Sequence, residues 1–440
     1  MMSNMTLTES INEAWNWAIR KTVTQASISQ DHFPHVAEQG RYDRSEPQWW
    51  TAGFWPGLLW LVYEHGRSAA RAAEITATSG ADTAMCTLHM NALEQKTDAH
   101  ERNDLAEHLS LLAQEKNVHK QQHDQTYEQI AEWAQSCERQ LEFCLHDTEL
   151  VDHDLGFIWL LSGVAHYVQT GNADARRRSL LAANLLAARF NVNGNYIRAW
   201  NFESAHMDTR GVAIIDSMMN LPLLYWASLE TGDPRYRELA IAHADTVARE
   251  FVRTDHSICH VVEFDPVSGQ KRCEHGGQGY APGSAWARGT AWALHGFALA
   301  YAYTGQASYL ELSRQTAQFF LTQLGENIVP YWDFRAPEAC RNAYDSSATA
   351  IAASGLLELA RHVVDNQERH TLQQVATRLL TGLYEHYSTR DSADEGLITH
   401  GTVHYPEQRH LNVPIIYGDY FFVEALIKLR GAPGLFTPGL

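Results

Sequence analysis

Six stretches of the chain are apolar on almost every side. They read WTAGFWPGLLWLVYEHG from Trp50, HDLGFIWLLSGVAHYVQTGN from His153, DSMMNLPLLYWASLETGD from Asp216, SAWARGTAWALHGFALAYAYTG from Ser284, DSSATAIAASGLLELARHV from Asp345 and YGDYFFVEALIKLRG from Tyr417. Runs of this length with no polar stripe predict helices buried on most sides. Several end in a Thr-Gly pair, a helix-stop signal. Between them lie segments such as PRYRELAIAHADTVAREF from Pro234 and ASYLELSRQTAQFFLTQL from Ala307, with the i, i+3, i+4 spacing of surface helices. The last five runs begin 61 to 72 residues apart, a period that holds one buried and one outer helix. Six such pairs cannot bury their apolar faces singly, and closing them into a ring solves this. The pattern therefore predicts an all-α chain, an (α/α)6 barrel of the six-hairpin type. Its inner-helix N-termini open on one mouth, decorated by a few short strands such as ICHVVEF from Ile258.

The first step, from 50 to 153, is longer than the others. Residues 1–440 are read as one barrel domain, with a polar helical insertion at 68–124 that accounts for the excess. The insertion carries His89, His100, His108, His119 and His123, without HxxxH or HExxH spacing. A solvated helical segment is expected there rather than a zinc site.

Composition narrows the class. A formal charge of -18 at pH 7 argues against nucleic acid or an anionic membrane as partner, since both need a basic face. No basic-then-apolar leader and no membrane-length run is seen, and Cys86, Cys137, Cys144, Cys259, Cys273 and Cys340 are scattered. Reduced core thiols and a cytoplasmic location are the expectation. A P-loop, GxGxxG, GxSxG or metal motif is also missing, so neither cofactor nor metal is called for.

Polar groups at the starts of buried helices are costly unless used. Asp154 in VDHDLGF and Asp216 in IIDSMMN hold corresponding positions in consecutive repeats and should converge on one cavity. Each alone reads equally well as a helix cap; as a pair they look like the carboxylates of a glycosidic site. Asp345 and Asp419 also begin inner helices, and capping is expected of both. In GGQGYAPGSAWARGTAW, Arg288 and Trp292 lie four apart and share a helix face, offering a guanidinium for a carboxylate and an indole for a sugar ring. The alternative is an arginine paired with a structural aspartate. Gln278 adds a donor, and Trp286 a wall. Trp49, Trp50 and Trp55 are further candidates for the mouth or the core, and His260 for a donor or a satisfied core histidine.

Taken in order, HDLGF, IIDSMMNLPLLYWAS, SAWARGTAWALHGF, DSSATAIAASGLLEL and YGDYFFVEAL resemble the unsaturated glucuronyl hydrolases, glycoside hydrolase family 88, as do DHFPH near residue 32 and WTAGFWPGLLWLVYE. The resemblance implies an (α/α)6 glycosidase that hydrates the C4=C5 bond of a non-reducing-end 4,5-unsaturated glucuronic acid and so releases it from lyase-generated oligosaccharides. It implies Asp216 as acid/base, its pKa raised by burial and by an ionised Asp154, with Asp154 as the second essential aspartate. Substrate contacts would fall on His260, Gln278, Trp286, Arg288 and Trp292, and Trp55 is added at the mouth. The expected assembly is a monomer or homodimer. The stretch HYPEQRHLNVPIIYGDY departs from the family pattern, which puts Arg409 and His410 forward as readers of a different neighbouring sugar or a sulfate. Competing readings are an unsaturated rhamnogalacturonyl hydrolase acting on pectin fragments, and a non-hydrolytic (α/α)6 sugar epimerase or binding protein.

Overall fold

The structure, a computed structural model, describes residues 7–78, 121–122 and 124–438, and among these described residues twelve α-helices alternate between an inner and an outer ring. In chain order they are α1 (Leu7–Ser29), α2 (Phe54–Thr78), α3 (124–141), α4 (Leu155–Trp159 and Ala165–Thr170, joined by the π-helical turn Leu160–Val164), α5 (Ala173–Ala188) and α6 (Leu221–Thr231). Then follow α7 (Pro234–Glu250), α8 (Ala287–Thr304), α9 (Ala307–Leu324), α10 (Ser346–His362), α11 (Asn366–Gly382) and α12 (Ile416–Leu429). The even-numbered helices are the six apolar runs and form the inner ring, which closes where α12 packs on α2. The odd-numbered helices cover it. In α3 the buried apolar residues are Tyr127, Ile130, Ala131, Ala134, Cys137 and Leu141, one stripe at helical spacing.

Two glycine devices let the inner helices pack this way. Gly171, Gly232 and Gly305 end α4, α6 and α8 with φ near +72°, the left-handed conformation that the Thr-Gly pairs announced. Gly156 sits so near α6 that a Cβ would lie 2.3 Å from the Asn220 Cα. That close approach brings the starts of two neighbouring inner helices together, which matters for the site.

Short antiparallel strands decorate the mouth: β1 (Ala37–Glu38) with β2 (Arg41–Tyr42), β3 (Phe190–Asn191) with β4 (Tyr196–Ile197), and a sheet in the order β5 (Val212–Ile214), β6 (Val261–Phe264), β7 (Lys271–His275). β6 is the strand expected from ICHVVEF. Helix α2 continues to Thr78, beyond Ser68 where the insertion was expected to start, and its Ala-rich SAARAAE segment favours helix strongly. Residues 79–120 and 123, with Cys86 and the insertion's five histidines, lie outside the described residues. Among the described cysteines all are free; Cys137, Cys144 and Cys259 are buried, Cys340 is half-buried, and Cys273 is exposed, unlike a core thiol. Among the described residues no helix is long and apolar enough to cross a membrane.

Away from the inner-helix N-termini, the barrel interior holds a buried ion cluster. Lys428 Nζ lies 3.1 Å from Glu358 Oε2, 3.5 Å from Glu424 Oε2 and 3.1 Å from His295 Nε2. Ser354 and Tyr420 donate to Glu424, and Thr437 donates to Glu358. Lys428→Met would leave both carboxylates buried without their cation, a loss of about 3–5 kcal/mol. Urea unfolding should show it; a change below about 1 kcal/mol would mean that the cluster relaxes without the lysine.

Candidate active site

Strand pairing fixes the first catalytic candidate. In the β5–β6 register Ile214 faces Val261, and just beyond it the Ile215 N–H donates to the His260 carbonyl (3.0 Å). Asp216 therefore lands beside His260, with Oδ1 3.7 Å from the ring Nε2. Ser217 locks the turn by donating to the Ile214 carbonyl (2.6 Å) and contacting His243 Nε2 (2.6 Å), while His243 Nδ1 accepts from the Ile197 N–H. His260 Nδ1 accepts the Gln278 N–H at 2.8 Å, so the neutral ring carries its proton on Nε2, toward Asp216. Burial and the Arg288 charge hold that ring neutral by pulling its pKa down to about 3. Neither His260 Nε2 nor Asp216 Oδ1 has a hydrogen-bond partner, so the fold leaves both of these buried polar atoms unspent.

Asp154 precedes α4 but makes no capping hydrogen bond, and Asp216 caps nothing either. The cap reading fails for both. Asn220 holds Asp154 instead: its amide donates to Asp154 Oδ1 (3.2 Å) while its carbonyl accepts the Phe157 N–H (2.7 Å). Both aspartates are only 7% exposed. Burial lifts the Asp216 carboxyl to about 7, opposed by the attraction of Arg288. Asp154 is pushed well up by burial first and then by the charges of Asp152 and Asp216. Adjacent buried carboxyls resist ionising together. The expected contribution of an ionised Asp154 to the lift on Asp216 is thus replaced by burial.

Arg288 is 1% exposed and spends its donors inside the protein. It pairs with Asp345 and donates to the carbonyls of Thr402 (2.7 Å) and Val403 (2.8 Å) and to Gln278 Oε1 (2.6 Å). The guanidinium lies against the rings of Trp286 and Tyr417, at 4.6 and 5.1 Å from their centres. The structural-aspartate alternative holds for its ion pair, and Asp345 is that partner rather than a cap. Asp419 likewise caps nothing; it accepts from Leu397 N, Ile398 N and the Tyr42 hydroxyl.

A cavity of about 280 Å³ opens above this group, lined by Trp49, Trp50, Trp200, Phe202, His260, Gln278, Arg288, His404 and Arg409 among others. Two expected contacts are corrected. Trp55 is buried with its Nε1 on the Gln30 carbonyl, and Trp292 packs against Phe157 and Phe421, so both indoles belong to the core. Trp286 supports His260 from behind at 4.3 Å between ring centres. Arg409 lines the cavity, paired with Glu407, while His410 turns to Glu38. Trp200, Phe202, His404 and Asn220 were not singled out from the sequence. The first three sit in loops without a motif, and only the position of Asn220, four residues after Asp216, offered a signal.

Comparison with known proteins gives one consistent result. The family model described as Glycosyl Hydrolase Family 88 matches residues 32–421. The unsaturated glucuronyl hydrolase of Bacillus sp. strain GL1 is 33% identical, over 92% of this chain and 93% of its own. The unsaturated chondroitin disaccharide hydrolase of Streptococcus pyogenes serotype M1 is 30% identical, over 96% of this chain and 91% of its own. Among solved structures, the Bacillus sp. GL1 enzyme, described as responsible for the degradation of glycosaminoglycan, superposes with a TM-score of 0.79 at 32% identity, covering 97% of this chain and 99% of that one.

The geometry around Arg288 makes a direct prediction. Arg288→Lys keeps a charge for Asp345 but strands Gln278 Oε1 and two buried carbonyls, at about 1–3 kcal/mol for each group left unmet. Thermal unfolding should shift down markedly. An unchanged melting temperature would show that water replaces the lost donors.

Proposed function

The chain belongs to Glycosyl Hydrolase Family 88, and from that premise we propose that its mouth removes a 4,5-unsaturated glucuronic acid from the non-reducing end of an oligosaccharide by hydrating the C4=C5 bond. The observation that carries this reading is Asp216: buried, lifted to about 7, with one oxygen unpartnered beside the Nε2–H of a neutral histidine. A carboxyl in that state is a proton donor near neutral pH.

The unsaturated sugar is an enol ether, so protonation at C4 leaves an oxocarbenium-like centre at C5. Asp216 gives that proton. Its carboxylate, stabilised by the nearby Arg288 charge, then takes a proton from the water that attacks C5. The C5 hemiketal opens to a ketone, and the hemiacetal left at C1 expels the rest of the chain. Asp154, held by Asn220, accepts hydrogen bonds from the sugar. Because Gln278 Oε1 is tied to Arg288, its amide NH2 is left to donate into the cavity, together with His260 Nε2–H, toward the uronate carboxylate. The faces of Trp49, Trp50, Trp200 and Phe202 suit the apolar faces of sugar rings. Arg409, half exposed at the rim, suits an anionic substituent on the next sugar.

The protein should abolish the ultraviolet absorbance of lyase-made unsaturated disaccharides without added metal or nucleotide. Absorbance that persists on chondroitin-, hyaluronan-, heparin- and pectin-derived disaccharides alike would defeat the reading, and loss confined to the pectin product would favour a rhamnogalacturonyl specificity. Asp216→Asn should remain folded and lower turnover by about two to four orders of magnitude. Because the acid must be protonated to act, kcat/KM should hold below and fall above about pH 7, the value to which burial lifts Asp216. A profile flat to pH 9 would assign the proton to another group.

A further inference from the structure

We propose that the β6–β7 hairpin carries a zinc-type cation site formed by Glu263, Cys273 and His275, separate from the reacting carboxylates. Register builds it. Glu263 on β6 pairs across the ladder with Cys273 on β7, and His275, two residues on, falls on the same face as Cys273. The three ligand atoms lie within 4.8 Å of one another. Sulfur to histidine Nε2 is 3.5 Å, sulfur to Glu263 Oε2 is 3.9 Å, and Nε2 to Oε2 is 2.8 Å.

Those separations match tetrahedral coordination. Zn–S bonds of about 2.3 Å and Zn–N or Zn–O bonds of about 2.0–2.1 Å place sulfur about 3.5 Å from either neighbour and nitrogen about 3.3 Å from oxygen. No pair needs to move by more than about 0.5 Å. The mix of one thiolate, one imidazole and one carboxylate suits a borderline-soft ion and would leave a fourth position for water. Burial orders the Glu263 carboxylate, and Arg272 holds its other oxygen, Oε1, at 3.2 Å, so Oε2 stays aimed at the partner strand. Cys273 is exposed, which gives the ion an entry path. Binding would release the thiol proton to solvent and replace the present contact between His275 and Glu263.

The placement gives the site a purpose. His260 immediately precedes β6 and Gln278 follows β7 by three residues, so an ion here cross-links the two strands that present both groups to the cavity. Cobalt(II) titrated into the metal-free full chain should give, at one equivalent, a thiolate-to-metal charge-transfer band with intense tetrahedral d–d absorption, displaced by zinc. Cys273→Ser should abolish the band while leaving the far-ultraviolet spectrum unchanged, and His275→Ala should weaken binding by at least about 10- to 100-fold, the scale seen for loss of mere outer-shell partners. Cys86→Ser should leave the band intact. Lack of any band, its survival in Cys273→Ser or its loss in Cys86→Ser would overturn the proposal.

Discussion

Burying a guanidinium forces its surroundings. Arg288 lies inside the inner ring on α8, where each unmet donor would cost more than a surface residue could recover. The chain satisfies it from four directions: Asp345 ahead of α10, the carbonyls of Thr402 and Val403 ahead of α12, Gln278 beyond β7, and the flanking rings of Trp286 and Tyr417. Loops far apart in sequence thereby converge on one cation, and the floor of the mouth is the result. An arginine that looks like a ligand hook in the sequence is, in the fold, the group on which the other hooks hang.

The same cation acts on the proposed acid, Asp216. Asp216 is buried, and burial disfavours its charged form; Arg288 favours it. The two effects leave the carboxyl near neutrality rather than far above it. A site with burial alone would hold the proton too tightly to give it up, and one with a freely exposed carboxylate would not hold it at all. The net charge of -18 is no obstacle to an anionic substrate, since the cavity gathers Arg288, Arg409 and neutral N–H donors locally.

The barrel was legible because inner helices have no solvent face, so their apolar runs stand out from the amphipathic outer ones. Asp154 and Asp216 were legible for a related reason: a carboxylate at a buried helix start needs a use, and neither is spent on capping. What failed was direction. Sequence spacing puts Trp292 one turn from Arg288, yet an inner helix is enclosed on all sides, and the indole turned to Phe157 and Phe421. Trp55 went to the core for the same reason. Partners joined across strands or loops left no local trace either: the pairing of Arg288 with Asp345 spans 57 residues, and the Glu263–Cys273–His275 group exists only through the β6–β7 register.

Isotope placement tests most directly whether a neutral buried carboxyl protonates the carbon–carbon double bond of the substrate. Reaction in heavy water should put deuterium on C4 of the released sugar, and reaction in oxygen-18 water should put the label first on C5, read by mass spectrometry on the earliest product. A product that keeps its double bond, with C4 unlabelled and the solvent oxygen on the anomeric carbon, would contradict it.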